Sequence, residues 1–340
     1  MTGIFWGALS FEDRCVGAFQ ELIQERHIDH AVFLDYAGES TRNLAAKAAR
    51  DAHWTELTNL GDRYGVQMER ERINPYSMGD LHRWAIARLS QPMNLTLDLT
   101  CFSRVHVLAF AQALTGVGAA IDWHIAYTLP LSYGRLDSTA AYGGWRDTLV
   151  LPLGPNASLE NEGVAIGILA LGHQAGRATL AMAEIEPAAG VMIVCCYPGR
   201  PDLHRVVYDK NGHLISYLTM LRMPGDAETT LKDYIPSAGW QLAELTLDDG
   251  IAGLRAILQP AIHAALALEG PVVLYPFGPK VVVFLIAFAQ IQAYADGSWA
   301  VYPVPTTHPL DYSEGIGATY TFSGRDISGG LQLSSSSLAD

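Results

Sequence analysis

Along the first 135 residues the hydrophobic pattern changes period repeatedly. Short apolar runs predict strands at Ile4–Leu9, His30–Tyr36, Gln67–Ile73, Asn94–Leu99 and Ile121–Tyr127. Apolar positions three and four apart predict helices at Arg14–Glu25, Ser40–Ala52, Met78–Leu89 and Val105–Leu114. Parallel strands need crossover connections, so this alternation predicts an α/β fold with a doubly wound parallel sheet. Ser40 and Ser77 stand where helix N-caps are expected, and Ser10 precedes an acidic turn at Glu12 and Asp13.

A Gly/Pro-rich join, Gly134 to Pro155, follows, and then the pattern starts again. Strands are expected at Val164–Leu171, Gly190–Tyr197, Trp240–Thr246, Val272–Pro276 and Trp299–Val304, and helices at Ala175–Glu184, Ile251–Leu268 and Lys280–Tyr294. Leu214–Leu221 fits helix and strand alike. Residues repeat along with the order of elements. Leu97 to Arg104 leads into Ala109-Phe-Ala-Gln112, and Leu274 to Lys280 leads into Ala287-Phe-Ala-Gln290. Each block then reaches a Trp-led strand and a Pro/Tyr segment, Trp123 to Gly134 and Trp299 to Gly315. The expected organisation is two Rossmann-like sheets related by internal duplication. Residues 1–135 form copy one, 136–162 a connection, 163–322 copy two and 323–340 a flexible tail.

Composition narrows the function. The net charge of −13 over 340 residues, with no basic stripe, argues against a binder of long nucleic acid. No apolar run approaches the roughly 20 residues of a membrane span, and the N-terminus lacks the basic start of a signal peptide. The four cysteines, Cys15, Cys101, Cys195 and Cys196, show no C-x-x-C spacing. Cys195 and Cys196 sit in an apolar run and read as buried strand thiols of a reducing compartment, so a cytoplasmic protein is expected. His27-x-x-His30 lacks companion ligands, and no metal site is expected.

In an open α/β sheet, ligands bind beyond the carboxyl ends of the strands, where loops present helix N-termini to anions. Four such loops each place one cation at a helix start: Arg14, Arg104, Arg177 and Lys280. A cation is unfavourable at the positive end of a helix dipole unless an anion compensates it. A bound phosphate would do so; so would a neighbouring acid such as Glu12, Asp13 or Asp98. Tyr133 and Tyr312, in the Pro/Tyr segments, offer stacking faces for a base or pack as ordinary exit-loop residues. His173 is the best-placed acid/base group, with His308 and Asp311 as companions. Neither a phosphate-binding G-x-x-x-x-G-K-[ST] loop nor H-E-x-x-H occurs, and Gly172-His-Gln-Ala-Gly176 has Gln174 where a hydrolase would need its serine.

Two Rossmann-like copies with a hydroxyl-and-cation loop after strand four resemble the CRISPR-associated Rossmann-fold (CARF) domains of prokaryotic defence and stress systems. Such domains pair to bind a cyclic oligonucleotide or related nucleotide. The resemblance implies ligand contacts at Ser10, Arg14, Thr100, Ser103 and Arg104 in copy one and at Gly278 and Lys280 in copy two. The chain departs from that group in carrying no recognisable effector domain, and its two strand-four loops differ. The leading expectation is a nucleotide or small-anion sensor whose inter-copy cleft receives the ligand and which acts with a protein partner or as a homo-oligomer. A nucleotide- or phosphoester-processing enzyme using His173 or Asp311, and a structural subunit of a complex, are the alternatives.

Overall fold

The computed structural model describes residues 1–36, 44–117, 121–133, 145–158, 163–173, 175–197, 200–222, 226–246, 250–305 and 313–324. The chain opens with β1 (Thr2–Leu9), α1 (Arg14–Glu25), β2 (His30–Tyr36), α2 (Leu44–Tyr64), β3 (Gln67–Ile73), α3 (Met78–Arg88), β4 (Met93–Asp98), α4 (Arg104–Thr115) and β5 (Ile121–Thr128). A short β6 (Ser132–Tyr133) and β7 (Trp145–Pro152) lead to β8 (Ile166–Leu171), α5 (Ala175–Met182), β9 (Ala189–Cys196), α6 (Pro201–Met220) and α7 (Asp226–Tyr234). The chain continues through β10 (Trp240–Thr246), α8 (Gly250–Ala267), β11 (Val272–Pro276), α9 (Lys280–Tyr294), β12 (Ser298–Pro305), β13 (Ser313–Glu314) and β14 (Thr319–Ser323).

These elements form two compact units, Met1–Tyr142 with Thr307–Ser328, and Gly143–Thr306 with Gly329–Asp340. The described strands of unit one lie in the order β3-β2-β1-β4-β5-β14, and those of unit two in the order β10-β9-β8-β11-β12-β7. In both, the first four pairings are parallel and the fifth, at the far edge, is antiparallel, where β14 meets β5 and β7 meets β12. The fold is therefore α/β with two Rossmann-like halves, and strand order reverses between β1 and β4 and between β8 and β11.

The sixth strands are exchanged along the chain. β7 comes after β5 but pairs with β12, and β14 comes after β12 but pairs with β5. The stretch 136–162 thus holds an edge strand of unit two, while Thr319–Ser323 completes unit one. Thr319 sits opposite Thr128, with their hydroxyls 3.0 Å apart.

Period-two alternation in β1 sends Phe5 and Trp6 to opposite faces. Phe5 meets Phe19 of α1 and Phe33 of β2, with centroids 5.1 and 5.5 Å away. Trp6 meets Trp84 of α3 and Phe110 of α4 at 4.7 and 6.0 Å. Aromatic pairs at such separations add about 0.5–1.5 kcal/mol each to their area burial. In unit two, α9 is apolar on all sides because it is a core helix: Val281 to Ile291 are buried. The segment Lys280–Gly297 is long and apolar enough to cross a membrane, but 67% of it is buried inside the protein, and that burial accounts for its hydropathy. The edge strand β3 carries Glu69, Arg70, Glu71 and Arg72, a charged edge that resists pairing with other chains.

Three helices differ from the sequence pattern. α2 continues to Tyr64, and its described residues begin at Leu44, so Ser40 lies outside the described residues. The ambiguous Leu214–Leu221 is the end of α6, which starts at Pro201. α7 was not expected.

Candidate functional site

At the carboxyl ends of β4, β5 and β1, unit one carries a continuous hydrogen-bond chain. The Thr100 backbone N–H donates to Asp98 Oδ1 at 2.9 Å, and the Thr100 hydroxyl donates to the same oxygen. Thr100 Oγ1 in turn accepts the Thr128 N–H at 2.8 Å. The Thr128 carbonyl then accepts from Arg14 Nη1 at 3.2 Å, while Arg14 Nη2 donates to Glu12 Oε2 at 2.5 Å. Glu12 Oε2 also accepts the Ser313 hydroxyl, which brings the β6–β13 ribbon onto the loop. Arg14 is only 2% exposed. Burial works against its charge, but the Glu12 carboxylate leads the opposing influences, and the guanidinium pKa rises well above its ordinary value.

Unit two repeats this brace with different atoms. Arg177, also 2% exposed, donates from Nη2 to the Pro303 carbonyl of β12 at 2.5 Å. Its guanidinium lies 4.7 Å from the Tyr302 ring centroid and 5.8 Å from that of Phe277, in cation–π range. In each unit the arginine near the start of the first helix thus holds a carbonyl at the end of the fifth strand.

The strand-four loops differ in kind. In unit one, Ser103 caps α4: its Oγ accepts the His106 N–H at 3.2 Å and donates to the Pro75 carbonyl at 2.6 Å. The Ser103 N–H donates to Tyr36 Oη at 2.8 Å. His106 is fully buried between Tyr36 and Asn74. The Asn74 carbonyl can only accept, so Nε2 carries the proton at 2.9 Å and Nδ1 accepts the Tyr36 hydroxyl at 3.1 Å. Arg104 follows as the first residue of α4, half-buried, and no acid lies in the first turn.

In unit two, Pro279 precedes α9 and its carbonyl accepts the Val283 N–H at 2.9 Å. Lys280 opens α9, half-buried, again with no acid in the first turn. Gly172 and Gly278 let the two loops close on each other. A Cβ on Gly172 would lie 1.9 Å from the Phe277 carbonyl oxygen, and one on Gly278 would lie 3.1 Å from Ala170 Cβ. Gly172→Ala is accordingly expected to cost about 2 kcal/mol by forcing the loops apart. Urea denaturation measures this, and an unchanged midpoint would refute the close contact.

The expected site residues therefore separate by role. Arg14, Arg177 and Thr100 are buried and bonded within the strand ends. Ser10 accepts the Glu12 N–H at 3.2 Å, shaping the first loop. Tyr133 pairs with Ser313 in the ribbon. His173 follows Gly172, whose carbonyl accepts from the buried Asn211 at 2.8 Å. Asp311, Tyr312 and His308 lie outside the described residues. His27 and His30 address separate acids, Asp29 at 2.8 Å and Glu69 at 3.1 Å.

Sequence reasoning overlooked the grouping of Cys15, His53 and Asp13. His53 Nδ1 donates to the Ser10 carbonyl at 2.9 Å and lies 3.4 Å from Cys15 Sγ, while Nε2 is 3.5 Å from Asp13. These are the residue types of a nucleophile, a base and an orienting acid, but the thiol is 1% exposed. Burial pushes its pKa well up, and the base's proton is committed to a carbonyl, so the group serves packing rather than nucleophilic chemistry.

No protein-family model matches the chain, and no curated protein matches it. Among solved structures it is similar to a type III CRISPR defence DNA nuclease activated by cyclic oligoadenylate, with 10% identity and a TM-score of 0.38. That alignment covers 88% of this chain, which spans 65% of the nuclease chain. A second likeness, to the cytoplasmic domain of a prokaryotic cation chloride cotransporter, has 10% identity and a TM-score of 0.25, covering 91% of this chain and 98% of that one. At such similarity neither carries weight for function.

Proposed function

We propose that the chain is a sensor of small anionic ligands, nucleotides foremost, that holds them at the helix starts after the fourth strand of each unit and signals to a partner protein in a prokaryotic defence or stress system. One observation carries this reading. Arg104 and Lys280 each open a helix beside the point of strand-order reversal, half-buried, with no acidic residue in the first turn of either helix. Helix dipole and cation there act on an anion in the same direction. Ser103 adds a polar cap in unit one, and Gly278 allows close backbone approach in unit two. Arg14 and Arg177 act behind this surface by fixing the fifth strands.

Isothermal titration of the full chain with mono-, di- and cyclic oligonucleotides tests the proposal, with cyclic oligonucleotides first because of the loop resemblance. Binding should weaken with salt, and Arg104→Ala or Lys280→Ala should each cost about tenfold in affinity, the range of a hydrogen bond to a charged group. Absence of binding across the panel, or affinity unchanged in both variants, would overturn it.

A further inference from the structure

Period two along β9 separates two adjacent cysteines. Cys195 is 3% exposed and faces the interior, where burial raises its pKa. Cys196 takes the other face and is partly exposed, contrary to the expectation of two buried thiols. On that face Cys196, His204 of α6 and Glu244 of β10 place a sulfur, an imidazole nitrogen and a carboxylate oxygen within 4.8 Å of one another.

The imidazole is set up as a ligand. His204 Nε2 is shielded from solvent yet makes no hydrogen bond among the described residues. It lies 3.4 Å from Glu244 Oε1, beyond the usual hydrogen-bond range. Two ligands bound at about 2.1 Å and a tetrahedral angle would be roughly 3.4 Å apart. Tyr208, one helical turn after His204, packs edge-on against its ring at 4.8 Å and donates its hydroxyl to Glu244 Oε1 at 2.7 Å. That bond orients the carboxylate as an outer-shell partner does in metal sites. A plain His–Glu ion pair would need neither the nearby thiol nor a ring nitrogen left without a hydrogen bond.

We propose that Cys196, His204 and Glu244 bind a zinc-class divalent cation, with Tyr208 positioning the carboxylate. Mixed thiolate, imidazole and carboxylate ligands suit Zn2+, and three protein ligands leave a fourth position for water or a small ligand. Binding converts the Cys196 thiol to a thiolate and releases its proton to solvent. The site is separate from the strand-four helix starts and stands whether or not those bind nucleotides.

The test is titration of the chelator-treated full chain with Co2+ and then Zn2+. One equivalent of Co2+ should produce a thiolate-to-cobalt charge-transfer band and intense tetrahedral visible bands, both bleached by Zn2+. Cys196→Ser should abolish the charge-transfer band. Glu244→Gln, at an exposed position, should weaken Zn2+ binding at least about tenfold, and Tyr208→Phe about 10- to 100-fold. Zn2+ should also raise the melting temperature of the wild type and not that of Glu244→Gln, which decides the matter if Cys196→Ser fails to fold. Absence of stoichiometric uptake, a charge-transfer band that survives in Cys196→Ser, or equal Zn2+ affinity in Glu244→Gln would overturn the proposal.

Discussion

Arg14→Ala is expected to destabilise unit one by about 3–5 kcal/mol, because removing one partner of a buried ion pair strands the other. The arginine meets two needs at once, the Thr128 carbonyl at the end of β5 and the Glu12 carboxylate in the β1 loop. Without it, Glu12 retains the Ser313 hydroxyl but loses its counter-charge at 11% exposure. The double variant Arg14→Met, Glu12→Gln, which removes both charges and keeps the volume, should recover part of the loss. Hydrogen exchange resolved by peptide is the right measurement, since it reads the two units separately. Peptides of β1, β4 and β5 should open more readily, while those of β8 and β11 should not change. A loss below about 1 kcal/mol accompanied by collapse of nucleotide affinity would instead return Arg14 to the ligand-contacting set.

Much of this architecture is legible in the chain, and the residues show where legibility stops. The bounds of α1, β2, β3, β10, β11 and α9 follow directly from runs and periods in the sequence. The second half of α2 does not show in the hydrophobic pattern because few of its positions are buried, Leu57 and Gly61 among them, which leaves a thin apolar stripe. The start of α6 is concealed by Asp209-Lys-Asn-Gly212, a turn-like run whose Asn211 is buried and donates to the Gly172 and Val207 carbonyls. β7 and β14 are edge strands with half-exposed or polar positions, and their exchange depends on pairing partners far away in sequence.

The site divides the same way. The recurrence of four cations at helix starts can be read locally, but the bracing role of Arg14 and Arg177 depends on where β5 and β12 end. His106, three residues after the Ser103 cap, reads as one more residue of an apolar helix until Tyr36, 70 positions away, closes on it. Cys196 separates from Cys195 only once β9 is known to end there, because the strand is buried on both faces up to Cys195.

His106 gives unit one an acid-sensitive stability. Burial lowers its pKa from 6.5 to about 4, against opposing contributions from the Asn74 carbonyl and Asp80. Between those two values the unfolded chain holds a proton that the folded chain does not, so stability is full above about pH 6.5 and falls as pH drops toward 4. At 1.36 kcal/mol per pKa unit, the whole loss is about 3 kcal/mol, most of it reached by roughly pH 4.5. His106→Gln should lower stability at pH 7, where Tyr36 loses its acceptor, and should flatten the acid limb by about 2–3 kcal/mol. Denaturant midpoints at pH 7 and 4.5 for both proteins decide this, and parallel acid limbs would refute it. Protonation also puts an N–H where Tyr36 now donates, and the Tyr36 hydroxyl is what accepts the Ser103 N–H at the head of α4. Acid therefore acts first on the bonds that set the start of the helix bearing Arg104, so peptides around Ser103 should gain exchange at pH 4.5 before the rest of unit one.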